Sequence, residues 1–297
     1  MPSNRDENIC HAMTIDVEDY FQVSAFESVV ARTDWEKLPL RVEMNTNRLL
    51  QLFDELKIKA TFFTLGWVAE RCPDLIKRIV NEGHELACHG YGHARATEQS
   101  RKEFHEDVVK AKQLLEDISG VKVHGYRAPS FSVNDTNRWV FDELREMEFL
   151  YSSSTYPVKH DIYGVPHWPR FQYTLDNGLI EVPMTTLKIA NKTIPMSGGG
   201  YFRLYPYWFS RFLLQKFEAS EKRSGMFYMH PWEIDPQQPK PRGLSAKSSF
   251  RHYLNLDRQF ERLKLLIADF NWGRMDQIFI SQAESAAVDD WRHREAS

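Results

Sequence analysis

The sequence predicts an α/β fold built on a parallel sheet or barrel. Short β-forming runs alternate with helical stretches from about residue 10 to residue 157, the rhythm of strand–helix–strand units. The helical stretches open and close on recognisable capping residues. Several of the strand-like runs end in acids, imidazoles or a guanidinium, and parallel α/β folds gather their functional groups at the carboxyl ends of strands.

Taken in order, residues 10–18 (CHAMTIDVE) read as a buried strand ending in acids. Residues 45–59 carry Leu49, Leu52, Phe53 and Leu56 at helical spacing. ATFFTLG is a second strand closed by Gly66, and residues 72–83 are a helix with Pro73 in its first turn and Gly83 past its end. HELACHG is a third strand. Residues 100–120 open with Ser100 and Glu103 in capping-box spacing and stop at Gly120. KVHGYRAPSF is a fourth strand and loop. Residues 134–149 form a helix capped by Asn134 or Asp135, and LYSSSTYP is a fifth strand.

After residue 157 the rhythm breaks. Residues 158–171 are a Pro-, Gly- and aromatic-rich loop, and LIEVPMTTL reads as a strand. SGGGYFRLYPYWFSRFLLQKFE is a glycine loop feeding an amphipathic helix. GMFYMHPWEID is a late strand with a polar end. Residues 237–249 are a surface loop, residues 257–271 a helix, and residues 275–287 a last strand and tail. The three glycines at 198–200 are not followed by Lys-Ser/Thr, which argues against a phosphate loop. No repeat or low-complexity tract is present.

Composition is that of a soluble globular protein, with 42% hydrophobic and 27% charged residues among 297. A net charge of −3 gives no basic surface for nucleic acid. Cys10, Cys72 and Cys88 form no C-x-x-C pair and their number is odd, so a disulfide framework is not expected and a reducing compartment fits. The first ten residues lack the apolar core of a signal peptide, and no run has the roughly 18 apolar residues needed to cross a bilayer. The expectation is a cytoplasmic protein, with a place near the inner membrane face as a conjecture. Oligomeric state stays open.

The polar groups suggest a metal site. His89 and His93 lie four apart with Gly90 and Gly92 between them. Neutral imidazoles bind divalent metals, and glycines allow the chain to coil tightly after a strand. Asp16 and Glu18, two apart in a strand, face one side; Asp19 becomes available if the strand ends at Val17. Taken singly, each feature has an ordinary structural explanation: a solvated pair of histidines, an exposed acidic turn, a surface ion pair at Arg127.

Taken in order, MTIDVEDYF, KATFFTLGWVAER, NEGHELACHGYGH, GYRAPSFS and FYMHPWE resemble the polysaccharide deacetylase family with its NodB-homology domain, a carbohydrate esterase 4-like family. The chain is most similar to the subgroup associated with exopolysaccharide loci of the exosortase/PEP-CTERM system. The resemblance implies a distorted (β/α) barrel of about seven parallel strands. It implies one catalytic domain over residues 10–285, with 236–285 a subgroup-specific C-terminal extension packed on the barrel. It implies one divalent ion, zinc foremost with Co, Ni or Mn as substitutes. The ion's ligands would be His89, His93 and an acid, Glu18 or Asp19, with Glu18 preferred on strand-facing grounds. The family pattern has two adjacent aspartates, and Asp-Val-Glu-Asp departs from it. Asp16 would be the general base, Arg127 its charge partner and His230 the general acid, with Glu233 or Asp235 favouring the charge on His230.

The implied reaction removes acetyl groups from an N-acetylated oligo- or polysaccharide or its precursor, with a backbone N–H near Tyr91–Gly92–His93 stabilising the oxyanion. Tyr91, Pro129, Phe131 and Trp232 are candidate substrate contacts, and Trp168 and Tyr201 lie near the same loops. His11, His84, His105, His124, His160 and His167 read as structural or surface histidines. Competing readings are an amidohydrolase of a small cyclic amide on the same scaffold, a 2-His-1-carboxylate iron oxygenase, and a non-catalytic carbohydrate-binding relative.

Overall fold

The structure, a computed structural model, describes residues 9–159, 164–190 and 192–280. His160 and the tail expected beyond residue 280 lie outside them. One mixed sheet dominates. Strand β1 (His11–Val17) pairs in parallel with β2 (Thr61–Thr64), which pairs with β3 (Glu85–Cys88), then β4 (Gly125–Tyr126) and β5 (Tyr151–Ser152). Beyond β5 lie β7 (Ile180–Glu181), still parallel, and the antiparallel edge β6 (Tyr173–Thr174). On the other flank β1 pairs with β10 (Met226–Met229) and, at its start, with β11 (Trp272–Gly273). Seven parallel strands thus run along the path from β10 to β7, and the curled sheet is a half-barrel. A separate hairpin joins β8 (Thr186–Ile189) and β9 (Lys192–Pro195).

Strand alternation divides the core. Met13, Ile15 and Val17 face the helices, in one cluster with Phe62, Leu86, Phe227 and Met229. Ala12 faces the concave side with Phe63, Ala87, Met226 and Tyr228, and Thr14 and Asp16 share its side by the two-residue period. The outer layer holds α1 (Val42–Glu55), α2 (Gly66–Arg71), α3 (Pro73–Asn81), α4 (Arg101–Ser119) and α5 (Trp139–Glu146). The capping box of Ser100 and Glu103 is formed, and Gly120 closes α4 in the left-handed conformation at φ 73°. Helix α5 instead begins after Arg138 with no side-chain cap; Asn134 folds its carbonyl back onto Thr136.

The second half departs further from expectation. The glycines belong to a short helix, α6 (Gly199–Leu204), rather than to a loop, and Pro206 separates it from α7 (Tyr207–Glu221) because proline cannot continue a helix. Helix α8 (Ala246–Tyr253) begins inside the segment read as surface loop, and α9 (Leu256–Asp269) follows. The last strand is Trp272–Gly273; the expected strand at 275–280 is a helical turn plugging the sheet's lower end. There Met275 N–H donates to Thr61 and Asp276 N–H to Glu85. All three cysteines are free. No helix of the described residues is long and apolar enough to cross a membrane.

Candidate active site

The strand ends bring Asp16, Glu18, His89, His93 and His230 to one cavity of about 170 Å³, with Phe131, Ser130 and Tyr228 on its walls. A larger cavity of about 470 Å³ lies elsewhere, beside Trp139 and Trp168. The buried cluster of Glu18, His89 and His93 lies in the smaller one, so the chemistry is placed there.

Strand β1 ends at Val17, and Glu18 N–H turns back to Asp16 O at 3.0 Å. That turn, rather than continued pleating, aims the Glu18 carboxylate at the imidazoles. Its Oε2 is 2.7 Å from His93 Nε2, and ligand atoms of Glu18, His89 and His93 all lie within 4.8 Å of one another. Asp19 goes elsewhere. Its carboxylate accepts the N–H of Tyr20 at 2.8 Å and, at the start of α1, those of Arg41 and Val42 at 2.7 and 2.9 Å. An acid holding two donors at a helix N-terminus acts as a cap, and its position withdraws it from the metal-ligand candidates. Burial pushes its carboxyl up to about 6.

Gly90 has φ 75° and makes the coil after β3. The second left-handed residue is His93 itself at φ 51°, not Gly92; backbone strain of this kind is held where surrounding structure demands it. Asp107 of α4 ties the loop by accepting Tyr91 N–H at 2.8 Å and Gly92 N–H at 3.3 Å. Those two amides are therefore unavailable to an oxyanion. His89 Nδ1 lies 2.8 Å from Arg127 O, which orients Nε2 toward the cavity when Nδ1 carries the proton. Burial pushes His89 down to about 4, so its ring is neutral, the form that binds metal.

Arg127 is fully buried and its Nη1 donates to Asp16 Oδ1 at 2.6 Å and to Thr14 Oγ1 at 2.9 Å. Its plane stacks on Phe63 at 4.0 Å, and Ser153 takes two further N–H groups. At the end of β10, His230 Nε2 lies 3.4 Å from Glu18 Oε1 and Nδ1 lies 2.8 Å from Glu233 Oε1. Burial works against charge on His230, but Glu18 and Glu233 outweigh it and raise the ring to about 9. For Glu18 burial likewise opposes charge, and His93 and His230 overcome it, holding the carboxyl at about 2. Of the two acids considered as partners of His230, Asp235 pairs instead with Arg41 at 2.5 Å and with Asn45.

The ring candidates divide. Phe131 lines the cavity at φ 50°, directly after Ser130 at φ 56°. Pro129 is buried at the start of that turn. Tyr91 turns away: its hydroxyl donates to Glu70 at 2.7 Å and Lys110 covers its ring at 3.4 Å. Trp232 is sandwiched between His230 and His252, at 5.1 and 4.1 Å, with only its indole N–H directed at Glu18. A buried stack leaves Trp232 no open face for a sugar. Trp168 belongs to the distant cavity. Ser153, Asp107, Arg203 and His252 lie outside every motif of the sequence, and Thr14 and Tyr228 lie within two of them as ordinary strand residues, Thr14 marked only by its alternation with Asp16 along β1.

The donor set fits a divalent cation. One carboxylate oxygen and two imidazole nitrogens converge, all buried and all within 4.8 Å of one another. Two imidazoles and one acid leave coordination positions for water and substrate. Fold and site thus define a parallel half-barrel with a candidate cation centre at the carboxyl ends of its strands.

Comparison with known proteins agrees. A family model described as polysaccharide deacetylase matches residues 31–147, and one described as a domain of unknown function, DUF3473, matches residues 153–280. A peptidoglycan-N-acetylglucosamine deacetylase of Bacillus cereus is 33% identical over 84 residues, 28% of this chain and 30% of that protein. A peptidoglycan deacetylase of Helicobacter pylori is 28% identical over 137 residues, 45% of this chain and 46% of that protein. A crystal structure of a candidate polysaccharide deacetylase from Mycobacterium smegmatis gives a TM-score of 0.59 at 21% identity, covering 94% of this chain and 90% of that one; it speaks for the fold. Residues 31–147 of the chain are thus similar to the polysaccharide deacetylase family. The chain spans less than half the length of the two curated relatives named.

Proposed function

We propose that the chain is a metal-dependent N-deacetylase acting on an N-acetylated amino-sugar polysaccharide or its precursor. The observation that carries this reading is the convergence of Glu18, His89 and His93 in one cavity with a carboxylate and an imidazole on either side. Relatives named for removing acetyl groups from peptidoglycan support the substrate class. Resemblance of the ordered motifs to the exopolysaccharide-locus subgroup supports a role in exopolysaccharide synthesis.

Glu18, His89 and His93 would hold the ion, and two imidazoles with one carboxylate favour zinc. A cation bound there supplies Lewis acidity, lowering the pKa of water from about 15.7 toward about 7. Asp16 accepts a proton from the attacking water, and Arg127 fixes the carboxylate that does so. His230, held cationic by Glu18 and Glu233, gives a proton to the amine as the C–N bond breaks. Acetate and a free amino sugar result.

Purified protein loaded with Zn or Co should release acetate from an N-acetylated oligosaccharide. Asp16→Asn should lower kcat by roughly 100- to 10,000-fold with metal retained. His89→Ala should lose both metal and activity. Full metal content and activity in His89→Ala would overturn the site.

A further inference from the structure

The segment matched as a domain of unknown function pairs β10 with β1 and carries His230 into the cavity. Resting on the deacetylase reading, we infer that Arg203 is a positioning residue for His230, acting through Glu233, and that Gly199 leaves the room this contact needs.

Glu233 is fully buried and Arg203 nearly so. Glu233 Oε1 accepts from His230 N–H at 3.0 Å and lies 2.8 Å from His230 Nδ1. Its other oxygen accepts Arg203 Nε–H at 2.8 Å. Arg203 is itself pinned: Nη1 donates to the carbonyls of Arg251, His252 and Leu254 at 3.1, 2.7 and 3.0 Å, where α8 meets α9. A line of contacts therefore runs from the C-terminal helices through Arg203 and Glu233 to the imidazole, whose remaining nitrogen faces the cavity.

The triple glycine acquires a reason in this geometry. A Cβ at Gly199 would overlap the Glu233 carboxylate, and one at Gly198 would overlap the Tyr228 ring. At Gly200 a Cβ meets nothing within 4 Å. Two of the three glycines clear space for groups at or next to the site, and helix α6 begins against the carboxylate that its own Arg203 then binds.

Arg203 does not line the cavity, so its loss should disturb proton delivery and leave substrate binding alone. A leaving-group comparison separates this from a structural ion pair. An amine must be protonated to depart, whereas the phenolate of 4-nitrophenyl acetate leaves without a proton. The experiment measures Arg203→Gln and Gly199→Ala, both metal-loaded, on an N-acetylated oligosaccharide and on 4-nitrophenyl acetate. His89→Ala verifies that ester turnover uses the same site. Both variants should lose roughly 10- to 100-fold in kcat on the acetamide, the size of loss seen when an orienting partner is removed, with KM and metal content unchanged and ester turnover within about threefold. Equal loss on both substrates, or no loss on the acetamide, would overturn the inference alone. A wild type releasing no acetate from the oligosaccharide would overturn the parent reading and the inference with it.

Discussion

Two buried guanidinium–carboxylate pairs support the same cavity, one from each half of the chain. In the first half Arg127 holds Asp16, which itself lines the cavity. In the second Arg203 holds Glu233, which reaches the cavity only through His230. Among the described residues the first carboxylate is paired with one cation, Arg127, and the second with two, Arg203 and His230. The difference teaches how each half is built. The first half places a cavity carboxylate directly from a strand, and the second builds a buttress around a cavity imidazole.

The largest effect that would break this comparison is on stability. Removing one partner of a buried ion pair leaves an uncompensated charge and costs about 3–5 kcal/mol. Arg127→Met should lose that much, since Asp16 loses the guanidinium that donates to it and the Thr14 hydroxyl is already committed to Phe227 O. Arg203→Met should lose less, about 2 kcal/mol, because Glu233 keeps His230 and the backbone N–H. Urea unfolding of both variants measures the gap. Equal losses would mean that His230 contributes nothing to holding Glu233.

The two halves also differ in how far their sequences could be read. Strands and helices to residue 157 follow regular periodicity and capping, and His89, His93, Arg127 and Asp16 stand at strand ends that such periodicity locates. The turn that sends Glu18 one way and Asp19 the other depends on tertiary contacts with α1, which two-residue strand alternation does not contain. Tyr91 looked like a wall of the site because it sits between the two histidines, yet Asp107 and Lys110 of α4 turn the loop and its ring outward. In the second half the short α6 and α8 and the turn at 276–280 fall below the length at which periodicity is informative. Arg203 and Glu233 are thirty residues apart in sequence and meet only because helix α6 folds back on the end of β10.

At the sheet's lower end the halves meet at Glu85, and a smaller, pH-dependent effect tests that seam. Glu85 accepts from Thr61 and Tyr151 of the first half and from Asp276 N–H of the second. Burial, with Asp276 nearby, raises its carboxyl from the usual 4.5 to about 7. Between these values the folded chain keeps a proton that the unfolded chain releases. Glu85 therefore lowers stability as pH rises from about 4.5 to 7, by at most about 1.4 kcal/mol per pH unit. Glu85→Gln, fixed in a neutral form, should lack this slope whatever its constant offset. Unfolding both proteins in urea at pH 5 and pH 8 reads the difference. A wild-type advantage that grows toward pH 8 would reverse the sign and show the seam to be held by the charged acid.

The smallest effect concerns the neighbouring acids, where the first half's own logic is sharpened. Glu18 and Asp19 are adjacent, both carboxylic acids and both buried, and their partners set them apart. Asp19→Ala removes an acceptor for two N–H groups at the head of α1 and for that of Tyr20. Loss of such a cap costs typically about 1 kcal/mol, and because burial disfavours the Asp19 charge, part of that cost is returned. Metal content should stay at the wild-type level, since none of those three contacts involves an imidazole. Glu18→Ala should do the opposite, losing metal while relieving a buried carboxylate. The pair is read by metal analysis beside urea midpoints. Metal loss in Asp19→Ala with Glu18 intact would mean that the helix cap also steers Glu18, making the turn at residues 16–19 one unit rather than two separable roles.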